Sequence, residues 1–186
     1  MKKEFNFRFV LRLTLTLLLI AVVVAAAMAL VNQVTEPVIA QANYEKTQKA
    51  ISAVLPGGYE EEITDFTDAT GLVTKVYKGA NGYALEVTPT GFDNTITMMV
   101  GVDTEGKVLG LSVVSHTETA GLGAVAAADN AAGNAFRAQF AGQSGALQVS
   151  KDGGVIDAIT GATITSRAVC DGVNAALACV AELGGA

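Results

Sequence analysis

The chain has 186 residues, 51% of them hydrophobic and only 16% charged, where soluble domains carry about 25% charged residues. That is room for one domain with accessories, too short for a large multidomain enzyme and too apolar for disorder. Lys2, Lys3, Arg8 and Arg12 against Glu4 give the first 12 residues a net +3, while the other 8 basic residues face 17 acidic ones, a net −9. A body that acidic repels phosphate backbones, which excludes nucleic acid as a partner. Two cysteines and a single histidine, His116, exclude a disulfide framework and a zinc set.

Leu13 to Val31 reads LTLTLLLIAVVVAAAMALV, 19 residues without a charge. At about 1.5 Å per residue such a helix spans the hydrocarbon core of roughly 30 Å, so it is read as a transmembrane helix. Ala25, Ala27 and Ala29 also offer the small residues of a signal-peptide cleavage site, but signal h-regions run to about 7 to 15 residues, and the length favours an uncleaved anchor. No cysteine follows closely, which excludes a lipoprotein. The basic head and the acidic Glu36 beyond the span place residues 1–12 in the cytoplasm and the body outside it by the positive-inside rule. A span without an ionisable residue offers no ion path of its own.

Thr35-Glu36-Pro37 reads as a helix start and Pro56-Gly57-Gly58 as its stop. The helix over 37–54, within a connecting segment 32–56, has sparse apolar positions, Val38, Ala42, Ile51 and Val54. It is read as a stalk lifting a domain, 57–186, off the bilayer rather than as a core helix. Strands follow at Val73–Tyr77, Tyr83–Val87, Thr95–Val102 and Val108–Ser115, with turn chemistry at Gly79-Ala80-Asn81-Gly82 and Asp103-Thr104-Glu105-Gly106, an antiparallel meander. Next come a short helix near Asn134–Phe140, strands near Ala146–Val149 and Val155–Ile159, and a closing helix from Arg167 to Leu183. The fold class is α+β: a transmembrane and a stalk helix, then one mixed domain with antiparallel strands. Cys170 and Cys179 lie nine apart on the closing helix, on opposite faces where they cannot pair, and read as two small buried side chains.

Asp157-Ala158-Ile159-Thr160-Gly161-Ala162-Thr163-Ile164-Thr165-Ser166 leaves a strand and enters the last helix. Helix starts carry unpaired N–H groups and a positive dipole end, so a phosphate beside Thr163 could be held there without a lysine or arginine. The same residues also suit an ordinary capped helix with Thr165 or Ser166 as N-cap. A second stretch, Ser115-His116-Thr117-Glu118-Thr119-Ala120-Gly121-Leu122-Gly123, follows the longest hairpin. Gly121 to Ala126 matches GxGxxA formally, but the neighbours are antiparallel and polar residues separate the strand from the first glycine, which argues against a Rossmann site. Gly142-Gln143-Ser144-Gly145 lacks the spacing of a nucleophile elbow. His116 and Glu118 could give two metal ligands but nothing completes a set, and His116 reads as a local hydrogen-bonding residue.

Together, the anchor, the stretch His116 to Gly123 and the D-x-x-[S/T]-G-A-T sequence Asp157 to Thr163 resemble the FMN-binding domain of the Rnf complex G subunit. A related domain occurs in the C subunit of the sodium-pumping NADH:quinone reductase. The resemblance covers nearly the whole chain, including Leu55-Pro56 and Gly82-Tyr83, and the length is closer to the Rnf subunit. It implies covalent FMN in phosphoester linkage to Thr163, made by a dedicated flavin transferase, with Asp157, Thr160, Gly161 and Ala162 as the recognition sequence. Glu118, Thr119, Gly121, Leu122 and Gly123 would form a loop beside the flavin. Two features depart from the family pattern: Ala120 stands where a proline is usual, and the chain has no tryptophan. The function implied is electron relay in an ion-translocating ferredoxin:NAD oxidoreductase beside other membrane and iron–sulfur subunits. The alternatives are a free-standing extracytoplasmic FMN protein or a non-redox anchored ligand-binding module.

Overall fold

The computed structural model describes residues 7–184; the expectations for residues 1–6 of the basic head lie outside the described residues. The chain divides into two compact units, Met1–Glu45 and Lys46–Ala186. The first contains most of one long helix, α1 (Phe7–Val54). Among the described residues, α1 is the one helix long and apolar enough to cross a membrane, and its most apolar window, of mean hydropathy 2.8, is entirely unburied. The expected break at Thr35–Pro37 is absent, and α1 runs through Pro37. Proline removes one N–H from the ladder, while the turns on either side continue it. The polar residues Thr14, Thr16 and Thr35 turn their hydroxyls back to the carbonyls of Val10, Arg12 and Val31.

In the second unit the strands β1 (Glu61–Ile63), β2 (Val73–Gly79), β3 (Gly82–Val87), β4 (Thr97–Asp103) and β5 (Val108–Ser115) form one antiparallel sheet in the order β1-β2-β3-β4-β5. Side chains of a strand alternate between faces, and both faces of this sheet are covered. Val76, Leu85, Val100 and Leu111 are cross-strand neighbours in a core shared with Phe136, Phe140, Ile156, Val169 and Val173. Tyr77, Ala84 and Met99 point the other way, onto Ala50, Ile51, Val54 and Leu55. The last turns of α1 are therefore core, contrary to the stalk reading. Too few apolar positions to stripe a whole helix are enough for the two turns that pack.

Beyond the sheet come a 3-10 turn at Gly123–Ala127, α2 (Ala131–Ala138), a 3-10 turn at Ser150–Asp152 and α3 (Thr163–Glu182). Asn130 caps α2 by accepting from the Gly133 N–H, which starts that helix earlier than its apolar pattern suggests. The strands expected at 146–149 and 155–159 are not formed; a single parallel bridge, Val149 to Ile156, remains of them. Asn174 replaces a strand neighbour: its Oδ1 accepts from the Leu147 N–H at 2.8 Å and its Nδ2 donates to the Leu147 carbonyl at 2.9 Å. With its backbone groups satisfied from a helix, Leu147 is buried without strand pairing. α3 is buried round most of its circumference, which places both cysteines inside although they face opposite ways. Burial pushes the Cys170 thiol up to about 12, helped by Asp171, and the Cys179 thiol up to about 11, helped by Asp68.

Candidate functional site

α3 begins at Thr163, four residues before the expected start, and its N-cap is Ala162, with no side chain capping it. Thr165 and Ser166 are thus inside the first turn rather than at the cap. Ser166 accepts from the Ile159 N–H and donates to the Ala162 carbonyl, each at 3.0 Å, closing the loop 159–162 against the helix. Gly161 lies in the left-handed region at φ +77°, which a side-chain-bearing residue adopts only with strain. A Cβ there would also press on Leu122 at 3.0 Å. That contact joins the two sequence stretches.

Glu118 links them a second time. It is 7% exposed; its Oε1 accepts from the Phe92 and Asp93 N–H groups at 2.9 and 3.2 Å, and its Oε2 accepts from Thr165 Oγ1. Gly123 is glycine because a Cβ there would collide with Glu118 Oε2 and Thr165 Oγ1.

Between these elements lies a cleft of about 270 Å³ lined by Phe92, Glu118, Thr119, Leu122, Gly123, Gly161, Ala162, Thr163, Ile164 and Thr165. Seven of the ten residues expected from sequence line it together. The other three, Gly121, Asp157 and Thr160, line an adjoining, more open hollow of about 590 Å³ with Val125, Phe136 and Gln139. Asp157 is fixed there through its backbone, its N–H donating to Gln139 Oε1 at 2.7 Å and its carbonyl accepting from Gln139 Nε2 at 3.2 Å. Phe92, Ile164 and Thr165 were missed from sequence as cleft residues. Phe92 sits in a turn between strands, where the sole signal is a large apolar residue, 67% exposed, in a Gly-Phe-Asp-Asn turn.

Chemically, the cleft has apolar, largely exposed walls in Phe92, Leu122 and Ile164, a floor of small residues, and a hydroxyl, Thr163, at the start of a helix. It fits a planar aromatic group joined to a phosphate, since the N–H groups of Thr163, Ile164 and Thr165 precede the first intrahelical bond, from the Ser166 N–H to the Ala162 carbonyl. Lys151 Nζ donates to Thr163 Oγ1 at 3.1 Å. Beside it, Arg167 binds both oxygens of Asp152 at 2.6 and 2.7 Å. The Arg167 guanidinium, with a smaller contribution from Lys151, holds the Asp152 carboxyl below its usual range. His116 is not the hydrogen-bonding residue expected: among the described residues its buried Nδ1 has no partner. Among the described residues no cluster of three or more His, Cys, Asp or Glu could hold a metal.

An α+β domain with such a cleft at a helix start, preceded in the chain by a helix long and apolar enough to cross a membrane, defines a class of helix-linked domains with a ligand-sized cleft. The family model of the FMN-binding domain matches residues 91–178, and that of the RnfG N-terminal region matches residues 1–54. The chain is 35% identical over 168 residues to the G subunit of an ion-translocating oxidoreductase complex of Pseudomonas aeruginosa, covering 81% of this chain and 78% of the relative. It is 30% identical over 171 residues to the G subunit of the Na(+)-translocating ferredoxin:NAD(+) oxidoreductase complex of Acetobacterium woodii, covering 79% and 80%. A 99-residue stretch is 43% identical to the G subunit of the proton-translocating ferredoxin:NAD(+) oxidoreductase complex of Clostridium ljungdahlii, about half of each chain. The chain belongs to the family of Rnf-type G subunits, and it contains that family's FMN-binding domain.

Proposed function

We propose that this chain is a single-pass membrane flavoprotein subunit that carries FMN in phosphoester linkage on Thr163 and relays electrons in an ion-translocating ferredoxin:NAD oxidoreductase complex. The observation that carries the reading is the position of Thr163. It is the first residue of α3 and its side chain lines the cleft, so a phosphate on its oxygen lies beside the helix's unpaired N–H groups. Bound FMN supplies electron transfer through its ring, and the protein supplies attachment, orientation and surroundings. Phe92, Leu122 and Ile164 would shield the ring from water, Glu118 keeps the walls in place through three hydrogen bonds, and Gly161 and Gly123 let Leu122, Glu118 and Thr165 come close enough to form those walls. Asp157, Thr160, Gly161 and Ala162 form the sequence read by a flavin transferase, and Asp157 and Thr160 are exposed, where another protein can reach them.

In this reading residues 1–12 are cytoplasmic, residues 13–31 of α1 cross the membrane, and the domain works outside the cytoplasm, the side on which the transferase must act. A covalent link suits that side, where a dissociated flavin is not readily replaced. The span has no charged residue, so ion movement belongs to partner subunits. Peptide mapping by mass spectrometry tests the attachment: chain isolated after co-expression with a flavin transferase should carry the added mass on the peptide containing Thr163. The mass on any other residue, or none, would contradict it.

A further inference from the structure

Lys151 stands 12 residues before Thr163 and donates to its hydroxyl oxygen. In a body of net −9, Lys107 and Arg167 both pair with carboxylates, whereas the hydrogen bond from Lys151 goes to a hydroxyl. The turn that carries it, Ser150–Asp152, is tied down on both sides. Val149 before it is buried and bridged to Ile156. Asp152 is gripped by Arg167, four residues past Thr163 on α3, which puts both on one face of that helix. The clamp holds Lys151 over the start of the helix, where the dipole disfavours a cation and a bound phosphate would offset the cost.

We propose that Lys151 is a catalytic residue of flavin attachment, donating to Thr163 Oγ1 while that oxygen attacks the flavin phosphate. This rests on the reading that Thr163 is the attachment residue. A flavin monophosphate would have to expel hydroxide, a poor leaving group, so the donor is a flavin dinucleotide. Thr163 Oγ1 forms a bond to the flavin-side phosphorus. The bond from that phosphorus to the bridging oxygen breaks, and a nucleoside monophosphate leaves with the electron pair. The hydroxyl proton passes to a base of the transferase, and nothing is oxidised or reduced. Lys151 remains an ammonium throughout: it stabilises the negative charge growing on Oγ1 and then pairs with the phosphodiester, which carries one negative charge.

The test uses the full chain in detergent, flavin adenine dinucleotide and a flavin transferase. Covalent loading is followed as the fluorescent band on denaturing gels and as the mass of the intact chain. Lys151→Met should lower kcat for loading by about tenfold or more, the effect of one charge-assisted hydrogen bond, with KM for the chain and the melting temperature unchanged. Lys151→Arg should restore most of the rate. Wild-type kcat in Lys151→Met, an effect confined to KM, or no rescue by arginine would each overturn the role. Thr163→Ala in the same series separates the two claims. If it loads, the attachment reading fails and takes this one with it; if it stays dark while Lys151→Met loads normally, the role of Lys151 alone fails.

Discussion

Thr165 donates a buried hydrogen bond to Glu118, 47 residues away in the chain, while the other oxygen of that carboxylate holds the Phe92 and Asp93 N–H groups. One side chain therefore binds the turn after β3, the loop after β5 and the first turn of α3, the three segments that wall the cleft.

Removing this carboxylate leaves three donors without a partner. Glu118→Ala should cost about 2 to 4 kcal/mol, and Thr165→Val about 1 to 3 kcal/mol through the lost bond and the unsatisfied oxygen. The double variant should cost less than the sum, because both changes remove the same bond. Chemical denaturation of the four proteins measures the coupling; strict additivity would show that the bond does not hold the cleft together.

The clamp on the Lys151 turn is sensitive to acid. Asp152 is depressed in the folded state by the Arg167 hydrogen bonds, so its contribution is present at neutral pH and is lost as pH falls below the ordinary value of 3.8 through the depressed one. Carboxyl NMR titration should place the Asp152 midpoint below 3.8 in the wild type and return it toward 3.8 in Arg167→Met. An unshifted midpoint in both proteins would contradict the clamp.

The meander was legible because its strands are short runs of β-branched and aromatic residues and the turns between them carry glycine: β5 occupies the range expected for it, and β2 and β3 differ by a residue or two. At the strand expected over 146–149, Asn174, from a helix, takes the hydrogen bonds of Leu147 that a neighbour strand would have taken. No local pattern announces that substitution. The residues of the cleft were legible where chemistry repeats, as in the hydroxyl-rich start of α3. They were not legible where tertiary contact makes the role: Thr165 reads as a cap candidate until Glu118 is brought beside it, and nothing in the local sequence singles out Lys151, which the fold brings to Thr163.

Cys170 and Cys179 should be inert. Burial raises both thiols, to about 12 and about 11, and the thiolate is the reactive form. The native protein at neutral pH should therefore resist alkylation by iodoacetamide for hours and take up two equivalents once denatured. Rapid labelling of either cysteine without denaturant would mean that α3 is not packed as described.

The topology proposed for α1 predicts that a reporter active only in the cytoplasm, fused after Ala186, is silent, while the same reporter fused before Met1 is active. The reverse pattern would put the domain on the cytoplasmic side and remove the extracytoplasmic transferase from the account.

The attachment of flavin to Thr163 is tested most directly on a denaturing gel under ultraviolet light, because a phosphoester survives denaturation and a bound ligand does not. Co-expressed with a flavin transferase, the wild-type chain should give a fluorescent band and Thr163→Ala should give none. Thr165→Ala should keep the band, since it loses the bond to Glu118 but retains the Thr163 hydroxyl. A fluorescent Thr163→Ala band, or a wild-type chain that stays dark when the transferase is active, would contradict the account.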